Sequence, residues 1–219
     1  MRIAWLGLLD SDDVTASTRA QDHLARLAEH IVFASRHAWS IELISCGRNP
    51  GCHALGTGVD RVVLPTAGSP RTVWDRASWA LPAALETVDL VHLHDGFSRS
   101  GEMALLIAKQ SRKPVCVTEW GVEGYWLATE LALRELADVI VCHDVAVANN
   151  VASSRPVELV TLGIDVRQIG VPASWPQNHC LATADRDDVV LLDAEYAAAG
   201  ARLYGIYETL VGSLRRAAA

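Results

Sequence analysis

The chain has 219 residues, half of them hydrophobic and 21% charged, and its formal net charge is −7. A chain of this size and composition is expected to fold around one large core, which excludes an intrinsically disordered protein. Nucleic-acid-binding proteins neutralise phosphates with a basic face, so the acidic balance argues against a nucleic-acid partner.

Short apolar runs alternate with helical patterns along the chain. Strands are predicted over residues 1–9, 40–46, 58–65, 88–94, 114–120, 138–144 and 157–163. Helices are predicted over residues 18–31, 70–86, 101–111, 125–136 and 187–216. This alternation indicates an α/β fold, with a single Rossmann-like, doubly wound parallel sheet and helices on both of its faces.

Two of these helices carry further expectations. Within 70–86, Trp74 and Trp79 are expected to pack inside the protein. The last helix has an apolar stripe that must pack on something, so we expect it to return to the same domain. Its members are Leu192, Tyr196, Ala199, Leu203, Ile206 and Leu210. The expected organisation is a Rossmann-like domain over 1–169, a linker or loop over 170–188 and the packed helix over 189–219.

Nothing in the sequence predicts export or membrane insertion. The first apolar run ends at Asp10, which makes it too short for a secretion signal, and no stretch approaches the roughly 18–20 apolar residues of a transmembrane segment. The five cysteines form no CxxC pair, and Cys116 and Cys142 lie within apolar runs where cysteine is usually a small buried side chain. We therefore expect a cytoplasmic protein.

Ligands of open parallel sheets bind at the carboxyl ends of the strands, so the residues that follow the strands define a candidate substrate cleft. These residues are Asp10, Ser11, His94, Asp95, Gly96, Glu119, Trp120, Gly121, His143 and Asp144. Glu119, His94 and Asp95 are the candidates for acid–base catalysis, because their side chains exchange protons. Polar residues also end strands in α/β domains that have no catalytic activity, so the alternative of a purely structural role stays open.

A metal site is the second hypothesis for this edge. His92 and His94 are two residues apart on a strand and face the same side, so they could share a metal with Asp95 and His143. In the alternative, His92 is buried against a helix and only His94 reaches the rim. We predict no metal, because no third ligand stands at a characteristic spacing.

Dinucleotide binding is also disfavoured. A dinucleotide site needs G-x-G-x-x-G after the first strand, so that the backbone can approach the pyrophosphate. Here Gly7 alone is followed by LLDSDDVTAST, whose aspartates would repel a phosphate. The G-x-S-x-G motif of hydrolases is absent as well. We therefore predict no bound cofactor.

The order of three segments resembles the N-terminal, acceptor-side domain of GT-B glycosyltransferases of family 4. The segments are VDLVHLHDGFSRSGEMALLIAKQSRKPVCVTEWG (88–121), ADVIVCHDVAVANNV (137–151) and RPVELVTLGID (155–165). The resemblance covers about residues 1–165, and the helix at 195–211 resembles the C-terminal helix that crosses back onto the N-terminal domain in this family. It implies a transferase fold that binds a carbohydrate acceptor.

The chain departs from the family pattern at several positions. The glycine-rich loop that approaches the donor phosphates is LLDSDD here, and the histidine that can contact the transferred sugar is Trp120. His143 replaces the serine of the "AD.VI..S" motif, and Thr161 and Leu162 replace the "PN" before the hinge. Residues 166–194 have no room for the donor-binding domain.

These departures leave two alternatives. The chain is either the acceptor-side half of a split glycosyltransferase, completed by a donor-domain protein, or a non-catalytic binding or scaffold protein that associates with itself or others. A nucleotide-sugar donor would bind only if a partner domain completed the site. An unrelated α/β ligand-binding function is the third alternative.

Overall fold

The computed structural model describes residues 1–6, 14–69, 76–94, 99–119, 133–143, 145–150, 155–160 and 188–217. These residues form eight strands: β1 (Arg2–Leu6), β2 (Ser40–Gly47), β3 (Gly51–Gly56), β4 (Val59–Pro65), β5 (Leu90–Leu93), β6 (Val115–Glu119), β7 (Val139–Cys142) and β8 (Val157–Leu159). The α-helices are α1 (Val14–Ala34), α2 (Leu81–Glu86), α3 (Arg99–Gln110), α4 (Val145–Asn150) and α5 (Asp188–Ala217). A single 3-10 turn lies at Leu133–Leu136 in the described part of the chain.

All eight strands belong to one sheet, in the order β3-β4-β2-β1-β5-β6-β7-β8. Every neighbouring pair is parallel except β3 and β4, which form an antiparallel hairpin. The chain starts at β1, builds one half of the sheet, and then returns to place β5 on the other side of β1. The strand order therefore reverses between β1 and β5, and such switch points are where open α/β sheets bind ligands. The predicted Rossmann-like fold is confirmed.

The two faces of the sheet have separate cores, because successive side chains of a strand point to opposite faces. The face covered by α2 and α3 has an apolar core that includes Leu85, Val91, Leu93, Leu105 and Val117. The face covered by α1 and α5 has a core that includes Trp5, Ile31, Cys116, Leu203 and Tyr207. Burial on both faces explains why the strands are nearly continuous apolar runs in the sequence.

The C-terminal helix α5 packs back on the domain, as the sequence predicts, and it lies against α1. The two helices approach closely at Gly200, where an added Cβ would lie 2.8 Å from the Cβ of His30. Next to this contact the rings of His30 and Tyr196 stack with centroids 6.2 Å apart. Further along, Trp39 stacks on Tyr204 with centroids 4.5 Å apart. Aromatic pairs and one small residue thus fix the position of α5 on the domain.

The region before α2 differs from the prediction. Trp79 is 84% exposed, so the expectation that it packs inside is wrong, and Trp74 lies outside the described residues. The helix begins only at Leu81, and Pro82 stands in its first turn. Proline is favoured in a first helical turn because its fixed φ suits the helix and its missing N–H would have no partner there. The helical spacing that suggested a start at residue 70 was therefore misleading for residues 76–80.

Two elements were not predicted. Strand β3 escaped prediction because its central residues are exposed and show no apolar alternation. It is held by β4 through a tight turn in which Gly58 adopts a φ of 73°, a conformation that favours glycine. The short helix α4 is the other addition.

Other sequence-based expectations have mixed outcomes. Cys116 and Cys142 are buried, as predicted. No helix in the described part of the chain has the length and hydropathy needed to cross a membrane. The division into domain, linker and helix stays a prediction, because residues 161–187 are outside the described ranges.

Candidate functional site

The carboxyl ends of β1, β5, β6 and β7 lie side by side at one edge of the sheet, called here the carboxyl edge. His94 directly follows β5, and its backbone N–H donates to the carbonyl oxygen of Leu6 at 2.8 Å. Glu119 ends β6 opposite Cys142, the last residue of β7, and His143 follows. The fold therefore brings His94, Glu119 and His143 to one edge, with His94 at the switch point between β1 and β5.

The other predicted cleft residues lie outside the described part of the chain. They are Asp10, Ser11, Asp95, Gly96, Trp120, Gly121 and Asp144. Each adjoins a strand end at the carboxyl edge in the sequence, so their assignment to the cleft remains a prediction.

Glu119 projects from the face that α2 and α3 cover. Along β6, Val115 and Val117 belong to the core on that face, whereas Cys116 belongs to the core under α1 and α5. Thr118 also lies under α1 and α5, where it bonds to the imidazole of His92. Alternation along the strand then places Glu119 on the α2 and α3 side.

His94 and His143 lie on the opposite face. The ring of His94 packs on Trp5, with centroids 4.5 Å apart, in the core under α1 and α5. The Nδ1–H of His143 donates to the carbonyl oxygen of Val160 at 2.7 Å, and Val160 belongs to the same core. The two imidazoles and the carboxylate of Glu119 thus approach the edge from different sides of the sheet, so only a ligand that spans the edge could contact all three.

Glu102 is a second buried carboxylate, and sequence reasoning missed it. It lies in the first turn of α3 and is 8% exposed, against 7% for Glu119. Leu105, three residues later on the same helical face, packs in the core under α2 and α3. A charged residue three positions before a core leucine was the signal that could have identified it.

Burial makes the two histidines of the edge weak bases. Burial, with a smaller repulsion from His143, lowers the pKa of His94 to about 3. Burial also lowers the pKa of His143 to about 4, although its hydrogen bond to Val160 acts in the raising direction. Both rings are therefore neutral at pH 7. A general base is most effective when its pKa is near the working pH, so these rings suit hydrogen bonding better than proton abstraction.

His92 lies deeper and connects α5 to the sheet. Its Nδ1 bonds to the hydroxyl of Tyr207 on α5, and its Nε2 bonds to the hydroxyl of Thr118 at 2.8 Å. Burial, followed by repulsion from His94 and His143, lowers the pKa of His92 well below its ordinary value. The neutral ring carries one N–H, so it donates to one of the two hydroxyls and accepts from the other.

The arrangement gives no support to a metal site. No group of three His, Cys, Asp or Glu side chains within the described ranges could hold a metal ion. Both ring nitrogens of His92 are engaged by hydroxyl groups, which removes one of the two imidazoles of the His92–His94 hypothesis. One sequence-based alternative placed His92 against a helix, and His92 is indeed buried against α5. The same alternative let His94 reach the rim, but His94 is only 3% exposed.

Comparison with known proteins identifies a similar fold. No protein-family model matches this chain, and no curated protein matches its sequence. It is similar to a solved chain of sucrose-phosphate synthase from Thermosynechococcus elongatus. The TM-score is 0.50 and the sequence identity 12%, over 96% of this chain and 99% of that chain. The chain therefore has a glycosyltransferase-like fold, and this identity shows the fold alone.

Proposed function

We propose that this chain is a glycosyltransferase-derived protein that binds a carbohydrate acceptor at the carboxyl edge and does not transfer sugar by itself. In this proposal the chain corresponds to the acceptor-side domain of a family 4-like GT-B enzyme, and α5 corresponds to the C-terminal helix that crosses back onto that domain. A donor-binding domain on another chain would dock against the carboxyl edge and complete the cleft.

The observation that carries the proposal is the extent of the structural similarity. A single sheet and α5 match almost the full length of the synthase chain. The match covers 96% of this chain, so it includes α5 as well as the sheet. This extent is what the resemblance predicts for an acceptor-side domain that keeps the helix crossing back onto it.

The site residues have distinct proposed roles. Glu119, as a buried carboxylate at the end of β6, would accept hydrogen bonds from sugar hydroxyls or act as the base once a donor domain is present. His94, at the switch point and neutral, would donate or accept a hydrogen bond without changing charge. Asp95, beside it in the sequence, is the remaining candidate base.

A non-catalytic binding protein is the second candidate function. The observation that favours it is the state of the two histidines, which are buried, neutral and packed as part of the core. A site that had lost its catalytic task would keep such residues for stability alone. In that case a partner protein or a second copy of the chain would occupy the carboxyl edge.

A glycan array followed by titration of the best-bound sugar tests the proposal. The chain should retain specific glycans, and Glu119→Gln should weaken binding at least about tenfold, because hydrogen bonds to a charged group contribute roughly 1.5–3 kcal/mol. Glu86→Gln is the matched control, since Glu86 is exposed at the end of α2, which leads to the opposite edge of the sheet. Absence of any glycan binding, or equal loss in both variants, would contradict a carbohydrate site at the carboxyl edge.

A further inference from the structure

The hydrogen-bond chain Tyr207–His92–Thr118 is an unusual feature of the core under α1 and α5. Tyr207 and His92 are both completely buried and Thr118 is nearly so. These hydrogen bonds connect Tyr207 of the C-terminal helix to Thr118 of β6, which directly precedes Glu119. A polar connection of this kind inside an apolar core specifies one position for the helix, because any shift would leave buried polar groups unpaired.

The surroundings of His92 contain neutral groups on every element that packs around it. These groups are Trp5 of β1, His94 after β5, Cys116 and Thr118 of β6, His143 after β7, Tyr207 of α5, and the apolar side chains Leu27, Ala28 and Ile31 of α1. Burial raises the pKa of Cys116 and of Tyr207, so neither is an anion at neutral pH. Burial is the main cause that disfavours protonation of His92, and electrostatic repulsion from His94 and His143 acts in the same direction.

We propose that His92 makes α5 an acid-sensitive latch: α5 is closed over the sheet while the imidazole is neutral and opens when His92 takes up a proton. A cation in this position would have no described anion beside it, and burial of an unpaired charge is costly. Water can solvate the ring if α5 lifts away. Because α5 contacts α1 and the sheet as an outer element, it can open locally while the strands remain paired.

Hydrogen exchange resolved by mass spectrometry tests this latch on the full chain. Amide protection factors, corrected for the pH dependence of intrinsic exchange, are compared at pH 7 and pH 5 for α5 and for the strands β2 and β4. If His92 has an ordinary pKa near 6.5 when α5 is open, its protonation favours the open state at pH 5. Protection of α5 should then fall about 30-fold from pH 7 to pH 5. Protection of β2 and β4 should fall by a larger factor, because these strands exchange through global unfolding, which exposes His94 and His143 as well as His92.

The variant His92→Gln should keep polar contacts to both hydroxyls but remove the titration, so its α5 protection should change by less than about threefold over the same pH range. His53→Gln is the matched control, because His53 is exposed on β3 and should leave the 30-fold response intact. Equal loss of protection in α5, β2 and β4, or an unchanged response in His92→Gln, would overturn the proposal.

Should His92→Gln fail to fold, Tyr207→Phe supplies a second test at neutral pH. This change removes the hydroxyl that holds His92 to α5 and leaves the aromatic ring in place. We expect α5 to lose protection at pH 7 while β2 and β4 retain theirs. An α5 with wild-type protection in Tyr207→Phe would show that the hydrogen-bond chain does not latch the helix.

Discussion

The two faces of the sheet differ in the side chains that they bury, although the same strands contribute to both. The face under α2 and α3 has a core of mainly aliphatic residues, and no histidine belongs to that core among the described residues. The face under α1 and α5 buries His92, Thr118 and Tyr207 beside Trp5 and His94. The core of the apolar face supplies stability by packing, whereas the polar face also fixes the position of one helix, and its histidines make the stability of the protein depend on pH.

The largest expected effect is a cavity on the apolar face. Leu93 is fully buried there, so Leu93→Ala should lower the free energy of unfolding by about 2–5 kcal/mol. The loss should be the same at pH 7 and pH 5, because no histidine belongs to the described core around Leu93. Urea denaturation at both pH values measures it. Leu106→Ala is the control: Leu106 is 49% exposed on α3, so its loss should stay within roughly 0.5 kcal/mol.

Acidification should destabilise the protein through the buried histidines of the polar face. The folded protein keeps His94 and His143 neutral down to pH values of about 3 and 4, whereas the unfolded chain protonates them below about 6.5. The unfolded chain then binds more protons within that window, so the free energy of unfolding falls as the pH decreases and is unaffected above it.

Between pH 7 and pH 5 each of these histidines should contribute a loss of about 2 kcal/mol. Urea denaturation of His94→Gln should show a pH dependence that is smaller by this amount than in the wild type. An identical pH dependence in the two proteins would mean that the ring of His94 is not held neutral by the fold.

The contact between α5 and α1 gives a smaller effect with a built-in control. A methyl group at Gly200 would collide with His30, so Gly200→Ala should cost about 1–3 kcal/mol by overpacking. At Gly205, on the same helix, nothing lies within 4 Å of an added Cβ. Gly205→Ala should therefore stabilise the protein by up to about 1 kcal/mol through helix propensity. Thermal unfolding of the two variants should shift in opposite directions, and destabilisation by both would contradict the described packing.

The smallest effect is expected at Trp79. This tryptophan is 84% exposed, so Trp79→Ser should change the free energy of unfolding by less than about 0.5 kcal/mol. Chemical denaturation decides the matter: a loss of several kcal/mol would restore the sequence-based expectation that Trp79 belongs to the core.

The comparison of the faces also explains what the sequence could predict. Continuous apolar runs identified the buried strands, and the stripe of α5 predicted that it packs back, because both signals follow from burial. The stripe included Tyr196 but continued from Leu203 to Ile206, three residues on, although Tyr207, four residues on, is the fully buried one. The partner of His92 was therefore missed. Likewise β3 pairs through its backbone with exposed side chains, so hydrophobic periodicity could not reveal it.

The candidate site was predictable in part for the same reason. Strand ends in the sequence identified His94, Glu119 and His143 as neighbours at one edge, because parallel strands align their carboxyl ends. The sequence did not predict on which face of the sheet each of these side chains lies. That depends on the exact residue at which each strand ends, because successive side chains of a strand alternate between the faces. Glu102, in the first turn of α3, is buried as well, and only the packing of that helix reveals it.

The central claim is that this glycosyltransferase-like domain lacks its own donor site. Calorimetric titration of the full chain with UDP-glucose and with GDP-mannose tests it directly. The account predicts that neither nucleotide sugar binds with a Kd tighter than about 1 mM, an affinity worth roughly 4 kcal/mol. Micromolar binding of either one by this chain alone would contradict the claim.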